Sequence, residues 1–211
     1  MKIFLGGGGS EKDSFLLDRA FADSLTKKKV LYLPIAMSEE KYSDCFNWVK
    51  SALAQHGILE IDLCVDLRDL TENSLEHFGA IYIGGGNTFR LLKLIRDSNF
   101  DFLLKQFLEA GGVVYGGSAG AIIFGKSIIA SGKADKNDVG LNEFSGLNLL
   151  NGYSVWCHYS PQKDEDVIEL IDECGLILAI EECGGVLFEK SFKRICGKNY
   201  LFKKGSSKKS F

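Results

Sequence analysis

Three short apolar runs in this chain stop abruptly at glycine: residues 2–5 before Gly6–Gly9, 79–83 before Gly84–Gly86, and 112–115 before Gly116-Gly117. Runs so short and so apolar suit strands covered on both faces, and 30–34 has the same character. Amphipathic helical patterns at 13–28, 40–56, 88–97 and 100–110 lie between them. In the first, Leu16, Leu17, Ala20, Phe21 and Leu25 follow the i, i+3, i+4 spacing of one buried face. This β-α-β-α order through residue 125 predicts one doubly wound α/β domain with a mostly parallel sheet. Further strands are predicted at 58–64, 127–130, 153–158, 176–181, 185–189 and 193–196, and helices at 119–125 and 164–174. The strand-rich last third reads as a hairpin or an extension of the sheet. Open sheets of this kind bind ligands outside the carboxyl ends of their strands, where Gly6–Ser10, Gly84–Asn87 and Gly116–Gly120 all fall.

Composition removes several functions. With 211 residues, 45% hydrophobic, the chain can bury one full core, expected over 1–202. A net charge of −3 offers no electrostatic footprint for nucleic acid or an anionic membrane. Lys203, Lys204, Lys208 and Lys209 cluster in 203–211, which reads as a frayed, solvated tail. The cysteines at 45, 64, 157, 174, 183 and 196 show no CxxC spacing, so a zinc site or redox dithiol is not expected. No window approaches 18 uninterrupted apolar residues. A soluble cytoplasmic protein with free thiols is expected.

The glycine loops invite a phosphate-binding reading that fails on inspection. Neither Gly6–Ser10 nor Gly84–Thr88 has the lysine of a P-loop, and neither completes a dinucleotide fingerprint. Gly6–Gly9 reads as a strand-to-helix turn with Ser10 or Asp13 near the helix cap. Gly116-Gly117-Ser118-Ala119-Gly120 differs: a Gly-x-Ser-x-Gly turn between strand and helix lifts a serine hydroxyl above the sheet. Such a serine needs a base. Of three histidines, His56 ends a helical pattern and His77 sits in a polar stretch, whereas His158 ends an apolar strand at the rim of Ser118. An acid to orient it is available at Glu181 or Glu182, at the end of another apolar strand; alternation allows only one to face the imidazole. The order serine, histidine, acid departs from that of the α/β-hydrolases.

Ile81-Tyr82-Ile83-Gly84-Gly85-Gly86-Asn87-Thr88-Phe89-Arg90-Leu91-Leu92, Gly116–Ala121 and a strand-end histidine together resemble the peptidase E family of serine peptidases over nearly the whole chain. The resemblance implies a three-layer α/β fold like that of the class I glutamine amidotransferases, and hydrolysis of short peptides with no metal or organic cofactor. It implies Ser118 as nucleophile, His158 as base and Glu182 as acid, with Glu181 a competitor because this chain lacks the family's Pro-Glu-Gly context. Backbone N–H groups of Gly86 and Ala119 would hold the oxyanion. Asp135 or Asp138 would bind a substrate amino group, and Arg90 or Lys163 an acidic side chain, although the loop after His158 is shorter than in the prototype. The expected enzyme is a dipeptidase preferring an N-terminal Asp, a monomer or homodimer. Its rivals are a non-catalytic small-molecule binder and an amidotransferase-like amidohydrolase, for which the elbow residue would be cysteine.

Overall fold

The computed structural model describes residues 1–206 and 208–211. Its first half follows the apolar runs. Strands β1 (Lys2–Gly6), β2 (Lys29–Leu33), β3 (Glu60–Leu63), β4 (Ala80–Ile83) and β5 (Val113–Gly117) alternate with helices α1 (Glu11–Asp23), α2 (Tyr42–Ala54), α3 (Glu72–Leu75), α4 (Thr88–Asp97) and α5 (Phe100–Glu109). The five strands are parallel, in the order β3-β2-β4-β5-β1. The short helix α6 (Ala119–Ile122) follows β5. Asp13 accepts from the Ser10 N–H at 2.8 Å and so closes the first turn of α1, as the residue order at the cap predicts.

Strand alternation divides the interior into two cores. Ile3, Leu5, Leu33, Ile83 and Val114 face α4, α5 and α6. Phe4, Tyr32, Tyr82 and Tyr115 face α1 and α2, against Leu17, Phe21, Val49 and Leu53. Helices therefore cover both faces, and the expected three-layer α/β arrangement is present. On the α1 side the rings of Tyr82 and Tyr115 stack with centroids 4.2 Å apart, and Phe21 meets Tyr115 edge-on at 5.3 Å.

The last third divides in two. β8 (Gly185–Phe188) and β9 (Phe192–Cys196) form the expected hairpin and extend the main sheet antiparallel to β1. β6 (Ser154–Tyr159), β7 (Leu176–Glu181), β10 (Asn199–Lys203) and β11 (Lys209–Ser210) instead form a second sheet, in the order β11-β10-β7-β6. Helix α7 (Asp164–Cys174) closes it over Trp156, Val167, Ile177 and Phe202.

Two expectations are corrected here. Residues 127–130 form no strand beyond a single bridge from Ser127 to Ser145; a 3-10 turn occupies Ile129–Lys133. There the Ser131 hydroxyl donates to the Ile128 carbonyl at 2.6 Å, the local side-chain-to-backbone bond that competes with a strand ladder. The 203–211 segment is not a frayed tail. β11 pairs with β10, and Lys208 Nζ reaches Asp164 Oδ2 at 2.6 Å while lying 5.0 Å from the Tyr200 ring centroid. Lysine and serine content cannot reveal that an aromatic and carboxylate seat waits at the edge of the second sheet. Ser207 of that segment lies outside the described residues.

One carboxyl interrupts the apolar interior on the α1 side. Asp18 is 1% exposed and accepts from Ser14 Oγ at 2.7 Å. Burial pushes its carboxyl up to about 6, against the neighbouring Ser14 and Tyr115 hydroxyls, which favour the charged form. The folded state therefore holds this proton more tightly than the unfolded chain does. The resulting stability is complete below the ordinary Asp range and is lost as pH rises through about 6. Asp18→Asn is expected to flatten that loss and to raise Tm at alkaline pH, where the wild type retains a buried charge. The difference is on the order of 3 kcal/mol. Thermal melts across this range test it, and a variant less stable than wild type at alkaline pH would contradict it.

Candidate active site

β5 ends at Gly117 and α6 begins at Ala119, leaving Ser118 alone to make the turn at φ 50° and ψ −112°. A non-glycine residue in such a region costs on the order of 1–3 kcal/mol and persists only where its surroundings hold it. Here the Ser118 N–H donates to the Gly6 carbonyl at 3.0 Å, and the Ser118 carbonyl accepts from Ala121 and Ile122 at 2.8 and 3.0 Å. The strand, the helix and β1 together force the hydroxyl upward.

His158 arrives from the second sheet. The register of β6 on β7 slips between Trp156 and Tyr159, and His158 sits in that irregularity with φ 51°. The slip turns its imidazole toward the elbow. Nε2 lies 2.8 Å from Ser118 Oγ, and Nδ1 lies 3.1 Å from Glu182 Oε1. With the proton on Nδ1, the carboxylate accepts from the ring, and Nε2 is free to accept from the serine. Glu181, the last residue of β7, turns the other way and accepts from the Tyr200 hydroxyl at 3.1 Å. The chain leaves β7 at Glu181 and turns, so the two glutamates face different ways, and Glu182, in the turn, is the one on the histidine.

The N–H groups of Gly86 and Ala119 donate to no backbone carbonyl among the described residues. Gly86 has φ 137°, and a Cβ there would lie 2.4 Å from the Ala36 carbonyl oxygen, so only glycine fits.

The sequence profile of peptidase family S51 matches residues 3–189. The chain belongs to peptidase family S51. A peptidase of Listeria monocytogenes, named as uncharacterized, is 30% identical over 166 residues, covering 77% of this chain and 80% of that protein. Peptidase E of Haemophilus influenzae is 30% identical over 190 residues, 83% of each chain. A crystal structure of a candidate peptidase E protein from L. monocytogenes superposes with a TM-score of 0.71 at 25% identity, covering 96% of this chain and 98% of that one. A peptidase from an acI-B1 actinobacterium shares the fold, with a TM-score of 0.76 at 15% identity over 100% of this chain and 93% of that one.

In this S51 peptidase the first glycine turn does more than connect β1 to α1. Gly6 holds the elbow through Ser118 N–H, and the Gly7 carbonyl accepts from His158 N–H at 2.9 Å. Gly7 N–H donates to the Gly184 carbonyl at 3.2 Å, beside the glutamate turn. Gly8, at φ 121°, lies flat under the imidazole: a Cβ there would sit 2.1 Å from His158 Cε1. The sequence reading took this turn as a connector. Its run of glycines was the available signal, but the ring they make room for lies 150 residues away (158 minus 8).

Two cavities flank the Ser118–His158 pair. One, of about 370 Å³, is lined by Thr88, Lys133, Asp135, Lys163 and Asp166. Asp135 Oδ2 accepts from the Thr88 N–H at 2.8 Å, and the buried Thr88 hydroxyl has no partner. Lys163 Nζ donates to the His158 carbonyl at 2.6 Å, and Lys133 bridges Asp166 and Glu169 at 3.1 and 3.0 Å. The other cavity, about 490 Å³, opens on the α1–α2 side.

The remaining expected residues separate. Asp138 is exposed and lines neither cavity, so of the two aspartates only Asp135 faces the site. Arg90 is corrected outright: it lines a different cavity with Asp66 and Asp97. Two residues beyond Thr88 on α4 it is rotated about 200° from it, so nearness in sequence to the Gly84–Asn87 loop misleads. Lys133, at the end of the Ile129–Lys133 3-10 turn, also lines the smaller cavity. His56 packs on the Phe15 ring at 4.8 Å and His77 is exposed. No helix among the described residues is long and apolar enough to cross a membrane.

Gly8→Ala is expected to keep the fold but displace the imidazole, since the ring is the part that can yield. A misplacement of this size costs about 10² in rate. Far-UV circular dichroism with steady-state kinetics checks it; wild-type kcat in Gly8→Ala would show that the turn does not position His158.

Proposed function

We propose that this S51 peptidase is a serine enzyme that hydrolyses short peptides through an acyl-enzyme on Ser118, acting as a dipeptidase on substrates with an N-terminal acidic residue. The observation that carries the reading is the continuous relay from Ser118 Oγ through His158 to Glu182, at 2.8 and 3.1 Å. His158 Nε2 takes the hydroxyl proton as Ser118 Oγ attacks the scissile carbonyl carbon. The carbonyl oxygen becomes an oxyanion between the Gly86 and Ala119 N–H groups. Collapse of the tetrahedral species breaks the C–N bond, and His158 passes its proton to the leaving amine. Water, deprotonated by His158, then releases the acid and restores the serine. Glu182 keeps the imidazole in the working tautomer and stabilises it when charged.

The acidic preference draws on the smaller cavity. Asp135 has one carboxylate oxygen on Thr88 N–H, leaving the other for a substrate ammonium. Lys163 lines the same cavity and supplies a cation that an acidic side chain needs on leaving water; Lys133 lines it too and adds a second where a substrate carboxylate takes the place of its Asp166 and Glu169 partners. The six free cysteines fit a reducing cytoplasm, and the reading needs no more than a monomer or homodimer.

Ser118→Ala is expected to lower kcat by on the order of 10⁶ and to abolish labelling by a fluorophosphonate probe. Glu182→Gln should be strongly damaging, while Glu181→Gln, a change to a carboxylate that accepts from Tyr200 rather than from His158, should leave kcat close to wild type. Dipeptide hydrolysis at an undiminished rate by Ser118→Ala would overturn the acyl-enzyme.

The specificity is tested separately. Asp-Leu should exceed Leu-Leu in kcat/KM, and Lys163→Gln and Lys133→Gln should erode that preference while Arg90→Gln does not. Equal kcat/KM for the two dipeptides would remove the acidic preference and leave the serine mechanism standing.

A further inference from the structure

The larger cavity beside Ser118 plays no part in the mechanism above. Its floor is a ladder of three tyrosines on neighbouring strands: Tyr32 of β2 pairs with Tyr82 of β4, which pairs with Tyr115 of β5. Each residue is at most 4% exposed. Their hydroxyls end directly under the three glycine loops that carry the reaction. The point a Cβ would occupy on Gly84 lies 2.9 Å from the Tyr32 oxygen; those on Gly117 and Gly6 lie 3.7 and 3.3 Å from the Tyr82 and Tyr115 oxygens. Met37, Cys45 and Trp48 form the walls, with Trp48 still 37% exposed.

The charge around this space is one-sided. Among the described residues Asp44 is the one carboxylate in its lining and no lysine or arginine lines it; His158 stands at the Ser118 end, and Lys41 lies near enough to the Cys45 wall to act on its thiol. Behind the Tyr115 hydroxyl lies buried Asp18, reached through Ser14. An acidic side chain reaching the tyrosine floor would lose its water and meet no lysine or arginine of the lining, which is strongly unfavourable, whereas the α-carboxylate of a leaving residue stays beside the scissile bond, near His158. Aromatic and thioether walls above a row of phenol hydroxyls instead suit a ring or a long aliphatic chain.

We propose that this tyrosine-floored cavity is the subsite for the residue on the leaving side of the scissile bond, taking a large aromatic or aliphatic side chain and excluding an acidic one. The leaving-side assignment rests on the serine-peptidase reading. With the oxyanion directed at Gly86 and Ala119, the acyl and amine arms of the substrate must run into the two flanking cavities. The one with Asp135 and the lysines already matches the amino-terminal residue. The tyrosine cavity is left for the amine that His158 protonates.

Amino-acid amides mimic that leaving amine and bind without turnover. Titrated into Ser118→Ala, phenylalaninamide is expected to bind about tenfold or more tightly than glycinamide, with leucinamide between them and glutamic acid α-amide weakest. Trp48→Ala, at a partly exposed position, should erase most of the phenylalaninamide advantage. Asp44→Asn should strengthen binding of the glutamic amide alone. In the wild type, Asp-Phe-amide should surpass Asp-Gly-amide in kcat/KM by a similar factor. Equal affinity for all four amides, or a phenylalaninamide advantage untouched by Trp48→Ala, overturns the subsite. Fluorophosphonate labelling keeps the two readings apart. Labelled protein with unselective amide binding sinks the subsite alone, whereas selective binding in a protein that never labels sinks its assignment to the leaving side.

Discussion

Two main-chain hydrogen bonds join the halves of this active site. The Gly6 carbonyl accepts from Ser118 N–H at 3.0 Å and the Gly7 carbonyl from His158 N–H at 2.9 Å. Ser118 follows β5 of the main sheet and His158 lies on β6 of the second, so the two side chains share no ladder. The end of β1 is the bridge between them. Its neighbours must lack side chains because the bridge is too narrow for a Cβ: one on Gly7 would lie 2.0 Å from the Glu181 carbonyl oxygen, and one on Gly8 would enter the imidazole. The 2.8 Å Ser118–His158 contact is thus set by backbone rather than by flexible side chains.

Strain and asymmetry follow from that bridge. Both Ser118 and His158 have positive φ, and each is held by a hydrogen bond to this turn. The surrounding interior differs on its two sides. Toward α4 and the 3-10 turn lie Asp135, Lys133 and Lys163. Toward α1 and α2 lie tyrosine rings and buried Asp18 without a cation. On the proposed mechanism, a peptide lying across Ser118 would meet charged partners at one end and an apolar hollow at the other. The layering of the fold would then distinguish the two sides of the scissile bond, since the two cavities lie toward opposite helical layers.

Three readings failed, each on geometry that residue content does not carry. Arg90 adjoins the Gly84–Asn87 loop in sequence, but helical rotation sends it to another cavity. Residues 127–130 are apolar enough for a strand, yet Ser131 closes a local turn that ends it. Lys208 reads as solvated, yet it seats on Asp164, Tyr159 and Tyr200. In each case composition was sound and the geometry decided: the direction a helix turns Arg90, the turn Ser131 closes three residues away, and the remote seat of Lys208.

Much was legible in the residues alone. Apolar runs of four or five residues ending in glycine determined the parallel strands and the rim at which the site lies, because a strand buried on both faces must be apolar throughout. Gly-x-Ser-x-Gly marked Ser118, and a strand-end position singled out His158 among three histidines. Tertiary structure alone decided which glutamate turns to the imidazole, which aspartate faces the cavity, and that Gly6–Gly8 holds the two sheets together. These are distances between residues far apart in the chain. Local propensity and spacing carry no record of them, since they arise only when a bulge in β6 and the end of β1 are brought to the same point.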